Sequence, residues 1–247
     1  MGRVRIVTNP LTGVTTLHKK IGIIGGLSPE STVSYYLHIT RSYVEKFADY
    51  GYPEIIIYSV NLQQYHQWRD ENRWDLITND LIKAANKLAS AGADIGLIAT
   101  NTMHKVFNEV QREVPLPLIN LIATTADDIH SKGIEKVALL GTKFTMSENF
   151  YIDGLNERGI SVLVPAPEDQ TCIHQIIVNE LVRGIISEKS KQQYLDVIKK
   201  FKQQGAQAVI LGCTEIPLLI KQEDCDITVI DTATIHAQAA LLSAINR

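Results

Sequence analysis

Cys213 is the residue of this chain best placed to move a proton. It stands in the segment 212–215, Gly-Cys-Thr-Glu, directly after the apolar run 208–211. That run predicts a buried strand ending at the thiol, with a helix beginning after it. The positive end of a helix dipole lowers a thiol pKa from about 8.5 toward neutrality. We therefore expect a reactive Cys213, the alternative being a buried and inert thiol, whereas Cys172 and Cys225 lack this setting and are expected to be structural.

Thr100 occupies the place of Cys213 in an earlier copy of the same segment. Residues 92–102 align with residues 205–215, and 113 positions separate Thr100 from Cys213. Two copies predict two facing lobes, with Thr100 on one wall of a shared cleft and Cys213 on the other. A hydroxyl is far less acidic than a thiol, so Thr100 is expected to donate a proton more readily than it abstracts one.

Strand and helix patterns alternate along the chain, which predicts an α/β fold with a parallel sheet in each lobe and helices on its faces. Residues 137–142 also match residues 21–26, and this second repeat predicts lobes related by a pseudo-twofold axis with the active site in the cleft between them. The expected divisions are an N-terminal extension at 1–19, a first lobe at 20–118 plus 232–247, and a second lobe at 119–231.

Further binding candidates lie in the loops that follow the predicted strands, since ligands of parallel sheets bind beyond the carboxyl ends of the strands. Gly26, Ser28 and Thr142 lie in two of these loops. Asn101 and Thr102 follow Thr100 at a predicted helix start, where N–H groups and polar side chains suit a carboxylate. A plain helix cap is the alternative for this pair.

Composition narrows the class of protein. The chain has 247 residues, of which 45% are hydrophobic and 21% are charged, an ordinary composition for a globular protein. Its formal net charge of -3 gives no support for nucleic-acid binding. No apolar run approaches the roughly 18 residues of a membrane span, and the N-terminus lacks the pattern of a signal peptide. The three cysteines have no metal-type spacing, so we expect reduced thiols, no metal and a cytoplasmic location.

Three segments resemble the signatures of the aspartate/glutamate racemase family and occur in the family's order. They are 24–32 (Ile-Gly-Gly-Leu-Ser-Pro-Glu-Ser-Thr), 101–104 (Asn-Thr-Met-His) and 212–215 (Gly-Cys-Thr-Glu). The resemblance implies a cofactor-independent, commonly homodimeric enzyme of two α/β lobes. In that family two cysteines act on opposite faces of a small amino-acid substrate, one removing the α-proton and the other returning a proton.

Carried onto this chain, the resemblance implies racemisation of aspartate and/or glutamate without pyridoxal phosphate. Cys213 would be the main acid and base, with Thr100 on the opposite face. His104 would either relay a proton to Thr100 or be structural. The α-carboxylate would be held by Asn101, Thr102, Cys213 and Thr214, with Glu215 as a possible accessory residue.

The chain departs from the family pattern at two places. Thr100 stands where the family has its first cysteine, and Val60 stands where an arginine is expected. A cation is needed for the second carboxylate of the substrate, and a guanidinium fits a carboxylate with two parallel hydrogen bonds. Arg183 matches a basic position of aspartate-directed members and lies in a predicted helix whose apolar stripe runs from 173 to 185; a solvated helix arginine is the alternative.

Two other cations could substitute for Arg183. Lys143 follows the predicted strand end at 141–142, and Arg69 lies in the polar stretch 61–73, which would form either a lid or a surface loop.

Other functions stay open at this point. A single-cysteine lyase or isomerase, similar to arylmalonate decarboxylase or maleate isomerase, needs only one thiol. A non-catalytic protein that binds an amino acid or dicarboxylate needs none. Nucleotide binding is disfavoured, because the Gly25-Gly26 turn lacks the glycine spacing of dinucleotide and phosphate-binding loops.

Overall fold

The structure is a computed structural model that describes residues 7–8, 15–16 and 18–246. Strand β1 (Val7–Thr8) pairs antiparallel with β2 (Thr15–Thr16). Most of the predicted extension at 1–19 lies outside the described residues. From residue 18 onward the chain forms two compact units, the first running up to Asn120 and resuming at His236, the second spanning Leu121–Ile235.

The first unit is built on a four-stranded parallel sheet in the order β4-β3-β5-β6. The two central strands, β3 and β5, are buried along their whole length, as expected of a sheet covered on both faces. The strands are β3 (Ile21–Gly25), β4 (Ile55–Ser59), β5 (Ile95–Ile98) and β6 (Leu118–Ile119), and the helices are α1 (Pro29–Phe47), α2 (Leu62–Asp70), α3 (Trp74–Ser90) and α4 (Phe107–Glu113).

The second unit repeats this plan, with a parallel sheet in the order β10-β9-β7-β8. In both sheets the first strand lies between the second and the third, and the fourth lies beyond the third. The strands are β7 (Lys136–Leu140), β8 (Ser161–Leu163), β9 (Ala208–Leu211) and β10 (Thr228–Asp231), and the helices are α5 (Leu121–Ser131), α6 (Lys143–Ser147), α7 (Asn149–Asn156), α8 (Pro167–Asn179), α9 (Glu188–Gln203) and α10 (Ile216–Leu219).

Two parallel four-stranded sheets flanked by helices confirm the predicted α/β class. The last helix, α11 (Thr232–Ile245), begins in the second unit, and from His236 onward its residues belong to the first. No helix within the described residues is both long and apolar enough to cross a membrane.

Two local predictions were wrong. The apolar stripe through residue 185 does not form one helix: α8 ends at Asn179, and a short 3-10 helix, Leu181–Arg183, follows. Gly184 adopts a left-handed conformation that ends this segment and leaves Ile185 49% exposed. The polar stretch 61–73, expected as a lid or a surface loop, contains the nine-residue helix α2, so the loop alternative is wrong and the lid stays a prediction.

The first turn of α1 organises the strand ends of the first unit. Ser28 caps the helix by accepting from Ser31 N at 3.2 Å, and Pro29 follows at a position where proline is tolerated. Thr32 Oγ1 accepts from Gly26 N at 2.9 Å, while Ser31 Oγ donates to Ala99 O at 3.0 Å. One helical turn therefore holds both the loop after β3 and the end of β5.

Gly26 is required by close approach as well as by backbone conformation. Its φ of +78° is left-handed, and an added Cβ would lie 2.4 Å from Val60 O. Gly133 has a similar φ of +67° but has nothing within 4 Å of its added Cβ. Substitutions at Gly26 and Gly133 can therefore separate the energetic cost of backbone strain from the cost of steric overlap.

We expect Gly26→Ala to destabilise the protein by roughly 2 kcal/mol more than Gly133→Ala. Both substitutions place an alanine in a left-handed backbone conformation, but only the new methyl group at position 26 overlaps a backbone oxygen. Urea unfolding followed by circular dichroism measures both differences. Equal losses of unfolding free energy would show that the loop after β3 yields to a methyl group.

Candidate active site

Cys213 lies directly beyond strand β9 and is hydrogen-bonded to a buried carboxylate. Its Sγ donates to Glu215 Oε2 at 2.9 Å, and Thr214 Oγ1 donates to the same oxygen at 2.9 Å. Glu215 is only 7% exposed, whereas Cys213 is half-buried at the edge of the apolar core of the second unit. A thiol, a hydroxyl and a carboxylate therefore form one hydrogen-bonded group at the strand end.

The prediction of a lowered thiol pKa was wrong. Burial raises the pKa of Cys213 well above its ordinary value, and the adjacent charge of Glu215 and its hydrogen bond to the sulfur raise it further. The helix that follows, α10, has only four residues, and its N-terminal position is occupied by Glu215 itself. At neutral pH Cys213 is consequently a thiol, with its proton directed at the carboxylate.

The loop that carries Thr142 lies beside the Cys213 loop. An added Cβ on Gly141 would lie 3.2 Å from Gly212 O, and one on Gly212 would lie 3.0 Å from Leu140 O, so a side chain at either position would crowd this approach. Thr142 caps α6 by accepting from Thr145 N at 3.3 Å. The second unit thus brings the sequence-predicted residues Thr142, Cys213, Thr214 and Glu215 to one edge of its sheet.

The three candidate cations differ in whether their charge is already paired with a carboxylate of the protein. Arg69 donates from Nε and Nη2 to Asp70 Oδ1, at 3.1 and 2.9 Å, so its guanidinium is already paired. The side chains of Lys143 and Arg183 are exposed, and neither forms an ion pair within the described part of the chain. Arg183 ends the 3-10 helix 181–183, which contacts α10.

Thr100 lies two residues beyond the end of strand β5 in the first unit and is half-buried. Its N donates to Ile98 O at 2.8 Å, and its O accepts from His104 Nδ1 at 2.8 Å. The helix that follows is a 3-10 helix, Thr102–Val106, and the preceding Asn101 does not cap it through its side chain. Within the described residues the Thr102 hydroxyl has no hydrogen-bond partner, which makes it available to a ligand.

Gly26 and Ser28 lie at the same sheet edge as Thr100, because β3 pairs with β5 and Ala99 N donates to Ile24 O at 3.0 Å. Gly26 N already donates to Thr32, so Gly26 shapes the loop and offers no free N–H. The Ser28 hydroxyl donates to Glu30 Oε2 at 3.3 Å while it caps α1. The predicted meeting of this edge with Cys213 across one cleft stays a prediction.

Two contacts of the site were not foreseen from the sequence. The spacing of Cys213 and Glu215 was visible, but not that a turn would bring the carboxylate to the sulfur. Nothing local indicated that His236, on α11, packs edge to face against His104 with ring centroids 5.6 Å apart. Within the described residues, no group of three or more His, Cys, Asp or Glu side chains could hold a metal ion.

We expect Glu215→Gln to lower the pKa of Cys213, because the substitution removes the negative charge beside the sulfur. Alkylation of Cys213 by iodoacetamide at neutral pH, read by peptide mass spectrometry, should quicken by about threefold for each pKa unit lost, because a less basic thiolate is also a weaker nucleophile. Glu157→Gln, on the surface of the second unit, is the matched control. Cys225, whose pKa is raised to about 11, is the internal reference. An unchanged Cys213 rate in Glu215→Gln would mean that the carboxylate does not control the thiol.

The chain is similar to racemases over almost its whole length. Residues 24–240 match the family model described as Asp/Glu/Hydantoin racemase. An aspartate racemase homologue from Pyrococcus horikoshii OT3 is 44% identical, with a TM-score of 0.82 over 90% of this chain and 97% of that one. The aspartate racemase of Picrophilus torridus is 26% identical, with a TM-score of 0.70 over 91% of this chain and 94% of that one.

A curated relative supports the same assignment. The broad specificity amino-acid racemase RacX of Bacillus subtilis strain 168 is 25% identical over 228 residues, which cover 90% of this chain and 96% of the relative. The match of the family model to most of the chain agrees with the three signature segments and with the observed pair of parallel sheets. This chain belongs to the Asp/Glu/hydantoin racemase family.

Proposed function

We propose that this protein is a cofactor-independent racemase of aspartate and/or glutamate in which Cys213 is the main acid and base and Thr100 serves the opposite face of the α-carbon. The observation that carries the proposal is the 2.9 Å hydrogen bond from Cys213 Sγ to Glu215 Oε2. The proposal includes the cytoplasmic location expected from the cysteine content and the homodimeric assembly expected from the resemblance.

Proton abstraction at Cys213 proceeds through Glu215. The carboxylate accepts the Sγ proton, and the sulfur takes the α-proton of the substrate, whose C–H electron pair stays on the carbon and delocalises into the α-carboxylate. Glu215 ends as the carboxylic acid and Cys213 again as a thiol. In the reverse direction the thiol gives its proton to the carbanion and recovers one from Glu215.

Thr100 makes the two faces unequal. Its hydroxyl is able to protonate a carbanion, provided that solvent replaces the proton it gives up. As a base it is poor, since an alkoxide forms rarely without an adjacent base, and no acidic side chain is hydrogen-bonded to Thr100 within residues 18–246. We therefore propose that the enantiomer presenting its α-hydrogen to Cys213 is deprotonated much faster than the other.

Charge on the α-carboxylate would be stabilised by donors at the strand ends. Thr102 is the strongest of the proposed donors, because its hydroxyl is uncommitted. Asn101, Ser28, Thr142 and Thr214 remain proposed binding residues. The hydroxyl of Thr214 would turn from Glu215 to the substrate once Glu215 has taken up a proton.

We expect proton NMR in D2O, with L- and D-aspartate and glutamate and no added cofactor, to show fast loss of the α-hydrogen of one enantiomer only. Cys213→Ser should abolish that exchange while the circular dichroism spectrum is retained. Thr100→Cys should raise the exchange of the slower enantiomer by about tenfold or more, since a thiol is the better base.

Other outcomes of this experiment favour other functions. Tight binding of these amino acids with no exchange of either enantiomer would indicate a binding protein. Carbon dioxide release from an arylmalonate, or isomerisation of maleate, with amino-acid chirality untouched, would indicate a single-cysteine lyase or isomerase. Full exchange in Cys213→Ser would remove Cys213 from the mechanism.

We expect Arg183→Leu to raise KM for aspartate or glutamate by about tenfold or more while KM for a neutral amino acid stays unchanged, because the guanidinium would bind only a second carboxylate. Lys143→Leu is the matched control, because it removes the other candidate cation that is exposed and unpaired within the described residues. If Lys143→Leu produces the selective effect instead, Lys143 holds the distal carboxylate and Arg183 is a solvated side chain.

A further inference from the structure

We propose that His104 is a positioning residue for Thr100, holding the Thr100 carbonyl through Nδ1–H and thereby fixing the direction of the Thr100 hydroxyl. This inference rests on the proposed function for its catalytic consequence. It assigns a task to a buried imidazole that the reaction itself does not use. The geometry that supports it lies wholly within the first unit.

The two peptide groups that flank the Thr100 Cα are each tied to a buried side chain. Ala99 O accepts from Ser31 Oγ at 3.0 Å, and Thr100 O accepts from His104 Nδ1 at 2.8 Å. Ser31 is 2% exposed and His104 is 5% exposed. Because peptide groups are planar, holding both planes fixes φ and ψ of Thr100 and hence the direction of its Cα–Cβ bond. Since the allowed χ1 rotamers depend on φ and ψ, the same constraint restricts the direction of the hydroxyl.

His104 is itself held rigidly. Its ring stacks on Phe107 at a centroid distance of 5.3 Å and an interplanar angle of 6°. The His236 ring meets it at 5.6 Å and 77°. His236 is anchored in turn by Ile119 O at 2.8 Å and by the Tyr35 hydroxyl at 2.9 Å. Helices α1 and α11 therefore both contribute to the placement of the Thr100 loop.

The hydrogen-bond partners determine which nitrogens carry protons. A carbonyl oxygen only accepts, so His104 is protonated on Nδ1 and His236 on Nε2, and the Tyr35 hydroxyl donates to His236 Nδ1. Burial lowers the pKa of His104 to about 3, with a further contribution from His236, and burial lowers that of His236 to about 4. Both rings are neutral at physiological pH.

This arrangement favours positioning over proton relay. The Nδ1 proton of His104 is committed to a backbone carbonyl, and forming the imidazolium is disfavoured by burial and by the neighbouring His236. Among residues 18–246 no imidazole holds the corresponding carbonyl beyond β9, where Cys213 O accepts from Ile216 N at 3.2 Å. Loss of the imidazole is therefore expected to slow proton transfer at the substrate face served by Thr100 and to leave proton transfer at the Cys213 face unchanged.

The test compares His104→Leu, which has no donor, with His104→Asn, whose amide nitrogen can replace Nδ1. Exchange and inversion of each enantiomer are followed by NMR in D2O. In His104→Leu the Thr100-dependent inversion should fall by about tenfold or more, as small misplacements of a reacting group cost rate steeply. Cys213-dependent exchange should stay within about twofold, and His104→Asn should retain most of the inversion.

A matched control exists in His130, an exposed imidazole whose Nε2 contacts Arg158 O at 2.9 Å in the second unit. His130→Leu loses the same type of contact away from Thr100 and should leave both rates unchanged. Equal loss of both rates in His104→Leu would show a general structural role. No loss at all, or identical behaviour of the Asn and Leu variants, would also overturn the proposal.

A second measurement needs no turnover. Three-bond couplings to the Thr100 γ-methyl carbon, in selectively labelled protein, report its χ1 rotamer. We expect one rotamer in the parent and in His104→Asn, and rotamer averaging in His104→Leu. If the parent protein exchanges no α-hydrogen, the proposed function fails, and these couplings still decide whether His104 positions Thr100; one rotamer in all three proteins would overturn the inference.

Discussion

The hydrogen bond between Cys213 and Glu215 sets the acid–base state of the candidate active site. A carboxylate that is only 7% exposed needs donors, and the thiol and the Thr214 hydroxyl supply two to one oxygen. The same carboxylate, together with burial, keeps the sulfur protonated. In the proposed mechanism, proton transfer at this strand end is therefore an exchange between the Cys213 sulfur and the Glu215 carboxylate, and it does not start from a thiolate at a helix N-terminus.

That arrangement places demands on the fold around it. The sulfur follows β9, an inner strand of its sheet, and the glycines at 141 and 212 let two loops come close without side chains between them. The short helix α10 places Glu215 at its start, so the turn presents a carboxylate two residues after the thiol. The local backbone thus brings two residues that are close in the sequence into a hydrogen-bonded thiol–carboxylate pair.

The first unit has a similar strand end, but different polar groups surround its central side chain. Thr100 has a hydroxyl in the place of the thiol, and it is held by its flanking carbonyls, with no carboxylate hydrogen-bonded to it within residues 18–246. The two repeated segments therefore share a strand and a sheet edge but differ in the polar groups that surround the reactive side chain. This difference in local chemistry is the reason that the proposed mechanism expects the two faces of the substrate to react at unequal rates.

The sequence by itself determined the α/β class, the repeated strand–helix order, the strand ends near Thr100 and Cys213, and the family. These properties follow from hydrophobic periodicity and from short motifs, which are local along the chain. Periodicity did not determine where α8 ends: the apolar stripe continues to residue 185, whereas the helix stops at Asn179 and the left-handed Gly184 ends the short 3-10 helix that follows. Only the tertiary structure decided that the Cys213 pKa is raised and that His236 packs on His104. Burial and the approach of distant side chains are properties of the folded chain, and no spacing along the sequence specifies them.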